Sequence, residues 1–259
     1  MDNEHSFLRT LRQSLSLPPD VERPKALFPS LLTRADSTSI LREIRNRSTM
    51  EQEALVDILQ TNAQALGITT YIVRNHDEAA AIIVDLVRTK DPEFTPTKHL
   101  IHHDHPDLAA LQLWKRFNRE GITVHTSFGP DRQVREKTLA SFIGISAPDI
   151  AVADSATLVQ ITEPGRPRST SLVPSIHIAL LQRENLVADL REAYALLQQR
   201  SRLDSFVFIT GPSKTADIEA QMVHGAHGPR AVHLIILCPP SAADHGGKHQ
   251  QPAEDTREQ

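Results

Sequence analysis

Gly211-Pro212-Ser213-Lys214-Thr215 is the stretch whose residue types could do chemistry. An ammonium between two hydroxyls, beside a tight Gly-Pro turn, can hold a small anion such as a carboxylate or a phosphate. Ser205–Thr210 before it is a short apolar run with β-branched and aromatic residues, the pattern of a buried strand. Ser213 then reads as the N-cap of a helix starting near Lys214, with Asp217 and Glu219 in or near the first turn and Ala216, Ala220 and Val223 along one side. A helix start leaves backbone N–H groups unpaired, and in an open parallel sheet such a turn sits at the carboxyl edge, where ligands bind. His224 to Arg230 reads as a glycine-rich loop before a second buried strand, Ala231–Leu237, and would carry His227, Gly228 and Arg230 to the same turn. The alternative is that Ser213 only caps a helix and Lys214 is solvated. Gly-x-x-x-x-Gly-Lys is absent, so the turn is not a nucleotide P-loop.

A second group is Asp149 and Asp154, which bracket a strand, with Ser155 and Thr157 following. A carboxylate at a strand end beside hydroxyls could be a nucleophile, a base or a ligand clamp; equally, such residues hydrogen-bond their own turn. His177, near the start of an apolar strand, fits a core position better than a ligand. His224, His227 and His233 could join Arg230 near the turn at Gly211. His99, His102, His103 and His105 resemble a metal cluster by count, but neighbours on a strand point to opposite faces and no zinc spacing is present. Asp104 or His105 before Pro106 more simply starts a helix.

A chain of 259 residues suffices for one sizeable core, and 39% hydrophobic with 23% charged residues describes an ordinary globular composition. A net charge of -4 argues against a nucleic-acid partner. The single cysteine, Cys238, excludes an internal disulfide and any iron–sulfur cluster held by this chain's cysteines alone. No apolar run reaches membrane-spanning length, and the charged opening residues do not read as a secretory signal, so the expectation is a cytoplasmic protein without a membrane span.

The elements that must position these residues alternate. An amphipathic helix over 3–16 carries Phe7, Leu8, Leu11 and Leu15, and a proline-containing segment follows it. Ser48 and Glu51 have capping-box spacing for a helix over about 48–66, which Gly67 ends. Ile68–Val73 is a strand, and Asn75 and Glu78 repeat the capping pattern before a clean helical stripe from Ala79 to Val87. His99–His103 and Ile122–Thr126 are strands, with helices over 108–119 and 132–142. Then Ile150–Ala153, Thr157–Ile161 and Ile176–Leu180 follow without an intervening helix, suggesting a hairpin or an excursion at the sheet edge, before a long helix over 185–199. The reading is α/β: a mostly parallel sheet covered by helices, with an N-terminal helical arm over 1–35, the main domain over 36–240 and a disordered polar tail over 241–259.

FITGPSKTADIE followed by VHGAHGPRAVHLIIL, with ISAPDIAVADSATLV and LVPSIHIALL upstream, resembles the LUD domain family over about Glu43 to Leu237. The resemblance implies a fold related to ribose-5-phosphate isomerase and the coenzyme A transferases. It also implies a role beside two cysteine-rich iron–sulfur proteins in oxidising L-lactate to pyruvate, with the clusters in those partners and none in this chain. The family usually shows an acidic residue followed by Thr-Gly-Thr, where this chain has Asp154-Ser155-Ala156-Thr157. The resemblance thus makes Asp154 a candidate catalytic carboxylate, by placement analogous to the coenzyme A transferase nucleophile. Alanine in place of glycine removes easy access to positive φ and narrows backbone approach to a ligand. The expectation is a non-cluster subunit of a lactate-oxidising system; the alternatives are a stand-alone enzyme, or a binding or docking module, for a small carboxylated or phosphorylated ligand.

Overall fold

The computed structural model describes residues 2–14, 34–93, 95–118, 120–200, 205–216, 222–224 and 228–240. Six parallel strands form the central sheet: β1 (Ile68–Val73), β2 (His99–His102), β3 (Thr123–Thr126), β4 (Ile143–Ser146), β7 (Ile176–Gln182) and β12 (Ala231–Leu237). Their order is β1-β12-β7-β4-β2-β3. A second sheet runs β8-β5-β6-β9, from β5 (Ile150–Val152), β6 (Thr157–Ile161), β8 (Leu186–Val187) and β9 (Phe206–Ile209). The fold is therefore α/β and mostly parallel, as the alternation of helix and strand implied.

One face of the central sheet is covered by α4 (His76–Thr89), α5 (Pro106–Ala110) and α6 (Leu113–Arg116), whose Ile83, Val87, Leu108, Leu113 and neighbouring Phe117 pack on Ile143, Ile145, Ile178 and Ile235. The other face meets α3 (Thr49–Leu66) and the second sheet, where Leu55, Leu59 and Ala63 join Leu158, Ala179, Leu181, Leu234 and Ile236. With both faces covered, the inner strands β4, β7 and β12 are almost wholly buried, which is why β7 and β12 read as largely apolar runs. α7 (Asp131–Ala140) and α8 (Ser169–Leu172) pack over β2, β4 and β7, and α9 (Leu190–Leu197) covers the outer side of the second sheet. α2 (Arg34–Asn46) closes the outside of α9 through Ile40, Leu41 and Ala195.

Local signals account for several boundaries. The Ser48 side chain accepts the Glu51 N–H, Glu51 returns to the Ser48 N–H, and Gly67 ends α3 at φ 81°. Asn75 caps α4 by accepting the Glu78 N–H. α1 (Asp2–Ser14) matches the expected arm helix, with Phe7 and Leu11 exposed. Residues 241–259 lie outside the described residues.

Other expectations are corrected. The helix expected over 108–119 breaks into α5 and α6 at Gln112, which takes φ 48°. The helix expected over 185–199 starts later, because Asp189 accepts the Glu192 N–H as N-cap and Glu192 takes the Ala188 N–H; Leu186–Val187 is instead the strand β8. β4 and α2 had no counterpart in the sequence reading. Most important, Lys214–Ala216 is the strand β10, paired antiparallel with β11 (Met222–His224), so no helix begins at Lys214.

Candidate functional site

The turn after β9 is built around Gly211, at φ 89°. A Cβ there would come within 3.3 Å of the Leu66 carbonyl oxygen at the end of α3, a tight contact, and the positive φ is what favours glycine. The chain then turns at Pro212, and the Ser213 N–H donates to the Pro229 carbonyl at 2.8 Å. A Cβ on Gly228 would lie 3.3 Å from the Ser213 Cβ. The Gly-Pro-Ser-Lys and Gly-Pro-Arg blocks therefore do meet, through backbone.

They meet in a different place from the one the sequence suggested. Leu66, Gly67 and Pro229 precede β1 and β12, so the turn lies at the amino ends of those strands. β9 belongs to the second sheet and is not a neighbour of β12. With β10 in place of a helix, there is no helix N-terminus to offer N–H groups. Lys214 Nζ donates to the Leu66 carbonyl at 3.1 Å, satisfying one of the carbonyls left open at the end of α3 and putting its charge at the negative end of that helix. Arg230 pairs with Glu93 and is half-exposed. Thr215 pairs with Val223 across the hairpin; His227 lies outside the described residues.

The Asp154 turn joins the same seam. Thr157 Oγ1 lies 2.9 Å from Thr210 Oγ1, the residue before Gly211. Asn62 of α3 donates to the Ala153 and Asp154 carbonyls, 2.9 Å in each case. Asp154 is exposed at the end of β5. Ala156 keeps the left-handed conformation, φ 45°, although it is not glycine, and its methyl is 1% exposed. Ser155 Oγ is buried and makes no hydrogen bond. The seam thus carries an exposed carboxylate, a buried hydroxyl, a hydroxyl pair and an ammonium around the last turn of α3. Gly67 also lines an open groove of about 590 Å³ between α3 and β1, together with Asp57, Gln60, Gln64 and Thr70.

The remaining candidates lie elsewhere. Asp149 is not beside Asp154: its carboxylate is buried against Arg166 at 2.8 Å, accepts the Ile161 N–H and also meets Arg200. Arg166 had no place in the sequence reading. His177 is a core residue, its Nε2 2.8 Å from Ser146 Oγ. Burial, then His233, pushes its pKa down to about 4. His233 stacks on Tyr71 and does not join Arg230. His99 meets His125, His102 the His103 carbonyl, and His103 the Pro167 carbonyl, while His105 accepts the Asp107 N–H as the cap of α5. These four histidines take separate partners, and no metal-ligating group is found among the described residues.

Comparison with known proteins finds relatives of the chain as a whole. The LUD domain model matches residues 56–237. Lactate utilization protein C of Exiguobacterium sp. (strain ATCC BAA-1283 / AT1b) is 33% identical over 174 residues, which cover 61% of this chain and 74% of the relative. Its namesake from Oceanobacillus iheyensis is 25% identical over 248 residues, covering 91% of this chain and 98% of the relative. A crystal structure of a DUF162 family protein from Deinococcus radiodurans superposes with a TM-score of 0.49 at 15% identity, covering 72% of this chain and 98% of that one.

Proposed function

This chain belongs to the LUD domain family, and we propose that it serves lactate utilization as the subunit without a cluster, alongside cysteine-rich iron–sulfur proteins. The relatives named lactate utilization protein C support the lactate role. The observation that carries the division of labour is Cys238, the one cysteine of the sequence, half-buried after β12. Oxidising a 2-hydroxy acid to a 2-oxo acid releases two electrons and two protons. A thiolate-held cluster needs several cysteines, so in this reading the electrons pass to partner chains. The test is a strain lacking this chain. Loss of growth on L-lactate, restored by the intact gene, supports the reading; normal growth on L-lactate overturns it.

A second reading, a small-anion site in the seam, is favoured by one observation. The Lys214 ammonium has three donors, and the Leu66 carbonyl takes one. In this reading a carboxylate or phosphate bridges Lys214 and the hydroxyls beside Asp154. Calorimetric titration of lactate and of phosphate against wild type and Lys214→Ala decides it. Affinity about tenfold or more weaker in the variant supports the site; equal or undetectable binding by both sinks it.

A further inference from the structure

The segment from Glu163 to Leu172 crosses the carboxyl ends of β2, β3 and β4. The Gly165 carbonyl accepts the Asp104 N–H at 2.9 Å and the Ser127 hydroxyl at 2.5 Å. Arg166 Nη2 donates to the Ala147 carbonyl at 2.9 Å, and the Pro167 carbonyl lies 3.3 Å from His103 Nε2. The Thr170 carbonyl rests directly over Gly144, where any Cβ would collide with it. In open α/β sheets this edge is where ligands enter; here the chain's own strap closes it.

Beneath the strap lie His103, Ser146 and His177, and the strap's own Thr170 faces inward; all four are 0% exposed. His177 is in register with Gly144, so it shares the face that Thr170 covers. Ser146 satisfies His177 Nε2. Four buried polar atoms remain without a hydrogen bond: His103 Nδ1, His177 Nδ1, Thr170 Oγ1 and Arg166 Nε. Their chemistry says what they need. A carbonyl only accepts, so His103 Nε2 carries the proton and Nδ1 presents a lone pair that requires a donor. Arg166 Nε–H requires an acceptor, and Thr170 can serve as either. The guest must therefore both donate and accept.

It must also be uncharged. The Arg166 charge is already met by Asp149 and Glu163, with Arg200 on the same carboxylates. An anion would lose its hydration without gaining an uncommitted cation, and a cation would face the buried Arg166 guanidinium. We propose that this layer is a closed hydration site, in which a short run of internal water molecules links His103, Thr170, Arg166 and His177 beneath the strap. Buried water in folded proteins serves groups of this kind, each molecule making about three hydrogen bonds.

Two measurements on the full chain test this. A crystal structure is expected to show an ordered water within about 3.2 Å of His103 Nδ1; apolar carbon packed against that nitrogen overturns the proposal. Thr170→Val keeps the shape and removes one hydroxyl. If water bonds that hydroxyl, melting falls by about 2–4 °C. If the layer is dry, removing an unsatisfied hydroxyl raises the melting temperature, which also overturns the proposal.

Discussion

The hydroxyls of Thr157 and Thr210 lie 2.9 Å apart, and through that pair the turn bearing Asp154 is fastened to the turn bearing Gly211. The two residues are 53 positions apart in the chain. The contact ties β6 to the end of β9 at the point where both approach α3. If it fixes the seam, Thr157→Val and Thr210→Val should each destabilise by about 1 kcal/mol. The double variant should cost less than their sum, by a coupling of at least 0.5 kcal/mol or so in a double-mutant cycle. Strict additivity in urea unfolding would show that the hydroxyls do not act as a pair.

Ala156 occupies backbone that glycine adopts more easily, at φ 45°. Ala156→Gly should relieve strain of about 1–2 kcal/mol. Against this stand the greater freedom of glycine in the unfolded chain, about 0.4–1 kcal/mol, and loss of a buried methyl. The expected net result is a variant equal to or slightly more stable than wild type. A loss of more than about 1 kcal/mol by chemical denaturation would show that methyl packing dominates instead.

Three buried histidines set the acid limit. His103 is pushed down to about 3 by burial, with Arg166, His177 and His105 adding to the effect. His177 is lowered to about 4 by burial and His233, and His233 to about 4 by burial and Lys90. Each titrates near 6.5 when unfolded, so below that pH the unfolded chain binds more protons and stability falls as pH falls. The full contribution is present above about pH 6.5 and is lost progressively down to about pH 4–3. Unfolding midpoints measured from pH 8 to 4 should drop steeply below about 6.5. A flat profile between pH 6.5 and 4.5 would contradict the burial of these neutral rings.

Asp149→Ala leaves the Arg166 guanidinium buried without its main partner. The expected loss is about 3–5 kcal/mol. Replacing both, Asp149→Leu with Arg166→Met, should recover much of it, because apolar side chains of similar size remove the stranded charge. Equal damage from the single and double changes, measured by thermal unfolding, would mean that the strap depends on the charges themselves.

The elements most legible in the sequence were those whose signals are local. Ser48 with Glu51, Asn75 with Glu78, and Gly67 mark helix ends through side chains within one turn, and the structure uses each of them. Lys214 shows where locality fails. A serine followed by Lys-Thr-Ala-Asp-Ile-Glu offers an N-cap residue and early acidic groups, yet Thr215 pairs with Val223 in a hairpin that no helical period announces. The second sheet was legible in part: the lack of a helix between β5 and β6 suggested a hairpin or an edge excursion, and the two pair antiparallel, but nothing local said that β8 and β9 would join them in a separate sheet. In the site, Asp154 and Gly211 were visible as residue types. Their meeting at the end of α3 depends on Asn62, Leu66 and the Thr157–Thr210 pair, contacts spread across the whole chain. Arg166 was missed because a buried arginine is defined by its distant partner, Asp149, and not by its neighbours.

The most direct measurement of the central claim is to purify this chain anaerobically with an affinity tag from lactate-grown cells, then assay lactate oxidation and iron in the complex and in the isolated chain. If this chain is the subunit without a cluster, the complex oxidises L-lactate and contains iron held by cysteine-rich partner chains, while the isolated chain is colourless, iron-free and inactive. Lactate oxidation by the isolated chain, or an active complex without iron–sulfur protein, would contradict it.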